Sequence, residues 1–396
     1  MENKTEWKKV KLKDVIEFNP KETLKKGTLA KYIEMANLQC FQKNILKYEI
    51  KEYKGGTKFR NGDTLLARIT PCLENGKTGF VDFLEKNEIA FGSTEYIILR
   101  EKANITDKNF IYYLSISEDF RNLAIKSMSG TSGRQRVQTD VLLEAEIKLP
   151  PLNIQKKIAK ILSDIDEKIG LNNKINDNLE KQAELIFNNY FLKNSFSNIL
   201  KRDKLLTLSK EIICGKTPAT KNKEFYGADV PFITIPDMHN KIYIDSTERS
   251  LSFKGADSQN NKYLPINTIC VSCIGTAGLV SLTSKISQTN QQINSVIPKE
   301  TEFTYYIYFL MKSLKDKINL IGASGSTFCN LNKKDFSNLE VPIPNNKILK
   351  RFHNSISPLF EKLKENQIEN EKLINLKKYL LPKLMNGEID VENIEL

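Results

Sequence analysis

Two rhythms of apolar and polar positions alternate along this chain. Residues 151–191, PLNIQKKIAKILSDIDEKIGLNNKINDNLEKQAELIFNNYF, open on a proline pair and then place Ile158, Leu162, Ile165, Ile169, Leu179 and Ile186 in heptad time. That spacing predicts one long helix with a packing seam. Asn172 and Asn176 sit on the same stripe near its middle, where leucine or isoleucine would be expected. The amphipathic DKNFIYYLSISEDFRNLAIKSM upstream also has helical spacing. By contrast, KVKLKDVI near residue 9 and NGDTLLARI at 61–69 are short apolar runs bounded by turn residues, which predict buried strands.

The same order of segments occurs twice. With Pro150 laid over Pro344, EIKLPPL falls on EVPIPN, Ile158 on Phe352, Ile165 on Leu359, Ile169 on Leu363, Leu179 on Leu373 and Ile186 on Leu380. Asn172 meets Asn366 and Asn176 meets Asn370 in that register. Backward, Leu114 lies over Tyr308, Phe120 over Leu314, Ala124 over Ile318 and Val137 over Leu331. Earlier still the match needs gaps: KVKLKDVI resembles KLLTLSKEII near 204, and NGDTLLARI resembles PINTICVSC at 265. The chain therefore reads as a mixed domain of about 150 residues followed by a helix of about 38 residues, or roughly 57 Å, twice over. Parallel pairing of the two helices would set Asn172 against Asn366. Antiparallel pairing, the arrangement a pseudo-twofold duplication favours, would set Asn172 near Asn370 and Asn176 near Asn366. Either way polar residues meet at the midpoint, where they cost stability and fix register.

Charge narrows the class of partner. The 396 residues carry 60 Lys and Arg against 48 Asp and Glu, a net charge of +12 with a pI near 9.1, which suits a polyanion such as nucleic acid. No apolar run approaches the roughly 18 residues that span a bilayer, and the polar N-terminal stretch MENKTEWKKVKLKD has no apolar segment behind its lysines, so the expectation is a cytoplasmic protein.

Catalytic signatures fail one by one. CGKTPAT around Gly215 has Lys210 where a phosphate-binding loop needs its first glycine. Pro236-Asp237 is followed by no Asp/Glu-x-Lys that would complete a nuclease metal site, and no methyltransferase glycine loop or Asn/Asp-Pro-Pro-aromatic tetrad is present. The six cysteines are scattered, the lone CVSC at 270–273 reads as two thiols along a buried strand, and neither His239 nor His353 has a nucleophile context. The expectation is a chain with no catalytic residues, no metal and no cofactor of its own.

Several stretches together resemble the specificity subunits of type I restriction–modification systems, over the whole length. They are GKTPATKNKEFYGADVPFITIPDM (215–238), with its Gly-x-Thr-Pro entry, NGDTLLARI (61–69), GSTEYIIL (92–99), SGTSGRQRV (129–137), the junction IKLPPLNIQKKIAKILSDIDEKI (147–169) and the closing KKYLLPKLMNGEIDV (377–391). The second junction, IPNNKILKRF (343–352), lacks the second proline and the glutamine of the first. The resemblance implies an α+β architecture: two mixed target-recognition domains (1–150 and 196–344) separated by two long antiparallel coiled-coil spacer helices (151–195 and 345–396), with an internal pseudo-twofold repeat. Each domain would read one half of a bipartite, asymmetric double-stranded DNA target. The spacers would dock two methyltransferase subunits, and motor-nuclease restriction subunits would join them. S-adenosylmethionine, ATP and Mg would belong to those partners. An orphan DNA-binding scaffold without a methyltransferase partner would share the sequence.

Base edges are read by forked or amide donors, and phosphates are held by Lys, Ser and Thr. On that chemistry the candidates in the first domain are Arg68, Lys77, Ser93, Thr94, Arg134 and Arg136, in Gly/Ser/Thr-rich loops beside predicted strands. In the second they are Lys216, Lys221, Asn290, Gln291 and Gln292.

Overall fold

A computed structural model describes residues 7–192, 201–322 and 329–394. The chain divides into two units, Met1–Leu171 with Asn370–Leu396, and Asn172–Glu369. Two 40-residue helices, Leu152–Phe191 and Asn346–Met385, each pass from one unit into the other.

In the first unit an antiparallel sheet runs in the order Ile16–Phe18, Tyr96–Glu101, Thr64–Ala67, Thr78–Phe80. Side chains alternate across a strand, and here both faces are covered. Leu66, Ile97 and Leu99 enter a core with the helix Lys108–Ile116 and with Ile154, Ile158 and Leu162 of the long helix. Leu65 and Ile98 point the other way, into a core shared with a second four-stranded sheet. That sheet holds one parallel pair, Leu29–Ile33 with Ala90–Gly92.

The second unit repeats the plan. Its main sheet runs Ser209–Cys214, Ile293–Pro298, Ile269–Ser272, Val280–Thr283, Tyr243–Ile244. Ile269, Val271 and Val296 face the helices, while Cys270 and Ile293 face the smaller sheet. The parallel pair recurs as Val230–Ile233 with Gln288–Thr289.

Local chemistry explains where the elements differ from the sequence expectation. KVKLKDVI is not one buried strand: Lys8–Lys11 pairs at a half-exposed edge with Glu146–Leu149, Leu12–Val15 makes a helical turn, and only Ile16–Phe18 joins the main sheet. DKNFIYYLSISEDFRNLAIKSM is two helices, Lys108–Ile116 and Glu118–Lys126. Ser117 separates them because its side chain accepts the Phe120 amide hydrogen, capping the second helix at the residue that ends the first. The first of the two is buried on all sides from Phe110 to Ile116, so it behaves as a core helix and not a surface one.

The proline-glutamine junction has a physical role. Gln155 is fully buried at the start of the long helix; its amide donates to the carbonyls of Pro150 (2.9 Å) and Ile105 (3.1 Å) and accepts from the Asp107 amide at 3.0 Å. At the corresponding place in the second helix Leu349 is buried in the apolar core instead.

The helices run antiparallel within each unit. In the second unit Asn366 Nδ2 donates to Asn176 Oδ1 at 2.9 Å, and Phe352 packs on Phe187 and Phe191 with centroids 5.9 and 5.0 Å apart. In the first, Lys377 Nζ meets Asp166 Oδ1 at 2.5 Å. Partner numbers thus fall on one helix as they rise on the other. Asn172 Nδ2 donates to Glu369 Oε2 at 2.8 Å, and Asn370, like the other three asparagines, is buried. No helix among the described residues is long and apolar enough to cross a membrane.

Candidate nucleic-acid interface

The first unit gathers its candidate residues at the end of the strand Thr64–Ala67. The loop 129–137 folds back on itself through Ser129 and Arg136, which exchange backbone hydrogen bonds at 3.0 and 2.9 Å. Gly133, at φ +77°, supplies the left-handed residue at its tip. The loop is stitched to the strand end by the Val137 amide on Arg68 O (2.9 Å) and the Thr70 amide on Gln135 O (3.0 Å). Beside them the turn before Tyr96 is closed by Ser93 Oγ, which accepts the Glu95 amide at 3.1 Å. The Arg68 amide donates to Glu95 O at 3.0 Å.

Arg68 and Arg136 thereby flank one carboxylate. Arg136 donates to Glu95 from Nε (3.0 Å) and Nη2 (2.7 Å), and Arg68 Nε lies 3.8 Å from Glu95 Oε2 with no hydrogen-bond partner among the described residues. The Arg136 hydrogen bonds hold the Glu95 carboxyl below the usual range, and the two guanidinium charges add to that, although partial burial opposes it. Arg134 and Thr94 are exposed at the same end of the unit. Lys77 is half-buried, and its ammonium gives one of its three donors to Met35 O at 2.9 Å.

The second unit builds the same scaffold from other side chains. The Asn290 amide donates to Ile233 O at 3.2 Å, as the Ser93 amide does to Ile33 O at 3.2 Å. Asn290 Oδ1 accepts the Gln292 amide at 3.1 Å, where Ser93 Oγ accepts that of Glu95. Cys273 N donates to Gln292 O (2.8 Å) and Leu331 N to Cys273 O (3.0 Å), matching Arg68 to Glu95 and Val137 to Arg68. Position by position, Arg68, Glu95 and Arg136 correspond to Cys273, Gln292 and Asn330, with Arg136 opposite Ile69 and Asn330 opposite Ile274.

Around this turn Lys216 is exposed, with its backbone fixed by its amide on Thr289 O (2.9 Å) and by Gln259 Nε2 on its carbonyl (2.9 Å). Gly215 makes the approach possible, because a Cβ there would be driven into the Asn290 and Thr289 carbonyl oxygens. The Gly-Lys-Thr sequence is therefore a close backbone crossing and not a phosphate loop. Gln291 is exposed and accepts from Thr217 Oγ1 at 2.7 Å, and Asn290 Nδ2 donates to Gln292 Oε1 at 2.9 Å. Lys221 is exposed on the turn that the Asn222 amide closes on Ala219 O.

Several functional-looking groups have structural roles. Asp237 caps the turn Ile235–Met238, accepting from Thr234 N and Oγ1 and from Glu248 N. Cys270 lies in a buried strand, and burial pushes its thiol up to about 12. His353 stacks on Tyr305 at 5.2 Å.

Glu95, Thr217, Gln259 and Asn330 escaped the sequence reading. Glu95 had a visible signal, a lone acid between Gly-Ser-Thr and an apolar strand opposite an arginine-rich loop. The others become neighbours of the site only through the sheet.

The family model described as the type I restriction modification DNA specificity domain matches residues 4–181 and 210–378. The specificity subunit of the type I restriction enzyme HindI from Haemophilus influenzae is 31% identical over 86% of this chain and 90% of its own length. The MjaIX specificity subunit of Methanocaldococcus jannaschii is 28% identical over 72% of this chain and 70% of its own. Among solved structures, the type I restriction–modification S subunit of M. genitalium superposes with a TM-score of 0.62 over 97% of each chain at 16% identity, a likeness of fold.

Proposed function

This chain belongs to the type I restriction modification DNA specificity domain family, and from that premise we propose that each of its two units reads one half of an interrupted, asymmetric DNA target. The observation that supports this reading best is the pair of matched turns. Corresponding hydrogen bonds hold Arg68 and Glu95 in one unit and Cys273 and Gln292 in the other, with Arg136 and Asn330 each opposite an isoleucine. One scaffold with unlike side chains is what two unlike half-sites require, since phosphate contacts position a protein and side chains at base edges specify sequence. In this reading Arg68, Arg134, Arg136, Ser93 and Thr94 face the first half-site, with Lys216, Lys221, Asn290, Gln291 and Gln292 on the second. Lys77, which gives one donor to Met35 O, joins the first half-site with its remaining donors.

Membership of the family supports the rest of the reading. The long helices carry two methyltransferase subunits, and restriction subunits join that complex in the cytoplasm. The chain itself transfers no methyl group and cuts no DNA; S-adenosylmethionine, ATP and Mg act in the partner subunits. The spacer asparagines Asn172, Asn176, Asn366 and Asn370 set the helix register.

The test is methylation mapping of the host genome with and without this gene, alongside methyl transfer by the pure chain alone and with its methyltransferase subunit. One interrupted motif should lose its methyl groups when the gene is deleted, and transfer in vitro should need both proteins. Methylation by the isolated chain, or an unchanged genome pattern, would overturn the proposal.

A further inference from the structure

A carboxylate at a DNA-binding surface opposes phosphate, so Glu95 needs a reason to stand among arginines. Its carboxylate occupies one edge of the Arg136 guanidinium, the edge formed by Nε and Nη2. A guanidinium is a rigid plane with five N–H donors. The opposite edge, formed by Nη1 and the second Nη2 hydrogen, takes no acceptor among the described residues, and the Arg136 side chain is 43% exposed. Two parallel donors on a rigid plane match the O6 and N7 acceptors of guanine in the major groove.

We infer that Glu95 is a positioning residue that holds Arg136 with its free edge outward, and that Arg136 so held reads one guanine in the half-site of the first unit. The inference rests on the DNA-reading function proposed above and adds a base and a division of labour to it. Charge separates a base reader from a phosphate anchor here. Arg136 and Glu95 together are neutral, so the pair adds little to phosphate attraction, whereas Arg134 and Lys216 are exposed with no ion pair among the described residues. The Arg136 hydrogen bonds favour the ionised form of Glu95 most, and Arg68, 3.8 Å from the same carboxylate, adds a smaller charge contribution. The second unit supplies a built-in control. Its matched turn has Gln292 and Asn330, with neither carboxylate nor guanidinium, so a change at Glu95 should leave that half-site alone.

The experiment uses the full chain with its methyltransferase subunit and synthetic duplexes bearing the target found by methylation mapping. Each guanine in turn is replaced by 7-deazaguanine, which lacks the N7 acceptor. The native complex should lose about tenfold to a hundredfold in affinity at one guanine of the first half-site. R136A and R136M, which cannot donate to N7, should bind the normal and modified duplexes alike at that position and keep their discrimination in the second half-site; the methionine variant carries the test if the alanine variant does not fold. E95A should lose discrimination at the same guanine while its non-specific binding tightens and its salt slope steepens by about 0.9, because Arg136 is released to a phosphate. E95Q, which still accepts from Arg136, should fall between E95A and the native chain. Discrimination by R136M at every first-half guanine, or an E95A variant whose specific and non-specific binding weaken together at an unchanged slope, would overturn the inference and leave the proposed function standing. A native complex with no sequence preference would overturn the function itself.

Discussion

The hydrogen bond between Asn176 and Asn366 sets up a measurable coupling. Asn366 is 2% exposed and Asn176 is 8% exposed, so the 2.9 Å bond between their amides lies inside the helix seam. Replacing one by leucine leaves the other amide buried without that partner, at a cost of about 1–3 kcal/mol. Replacing both removes the orphan. The gain from burying each leucine appears in the single and double variants alike, so it cancels in a double-mutant cycle. N176L with N366L should therefore show a coupling of about 2 kcal/mol or more, against the ~0.5 kcal/mol that independent sites stay within. Urea denaturation followed by circular dichroism gives the stabilities, and hydrogen exchange along 172–191 reports the seam directly. The double variant should be as stable as the native chain or more so, with looser register. Additive single effects, or a double variant less stable than both singles, would refute this account of the seam.

Three further outcomes follow from particular contacts. Asp166 takes Lys377 at 2.5 Å and the Tyr113 hydroxyl at 2.8 Å in a buried setting, so K377M should cost about 3–5 kcal/mol while D166N with K377M recovers much of it in thermal melts. Burial lowers the pKa of His353 below 6.5 despite Glu302 and Glu361, so the unfolded chain binds the proton first; stability should fall as pH drops below 6.5, and H353F should flatten that part of the pH–stability curve. G215A should force apart the crossing at Thr289 and Asn290, displacing Lys216 and weakening binding to the second half-site with the first unaffected, as half-site substitution in a binding assay would show.

The long helices were legible because forty residues repeat one period, and the asparagines stood out against it. The duplication was legible for the same reason, since offsets between matched apolar positions stay constant over the helices. Strand runs were found where apolar residues clustered, as in Thr64–Ala67, but not where pairing alone makes the strand, as in the exposed Glu49–Glu52. The split at Ser117 was hidden because a serine between two helical patterns signals a cap only when its hydroxyl reaches back to Phe120. At the site, arginine and amide residues declared themselves by type. Their setting did not: Glu95 meets Arg136 across 41 residues, and Thr217 meets Gln291 across 74, distances that sheet pairing closes and local pattern does not encode.

The central claim is that two units on shared helices read two half-sites independently. The direct measurement is methylation mapping after residues 1–150 are exchanged for the matching region of a relative with a different target. One half-site should change, with the other half and the gap between them retained. A chimera that rewrites both half-sites, or that changes the gap and leaves the bases as they were, would contradict the account.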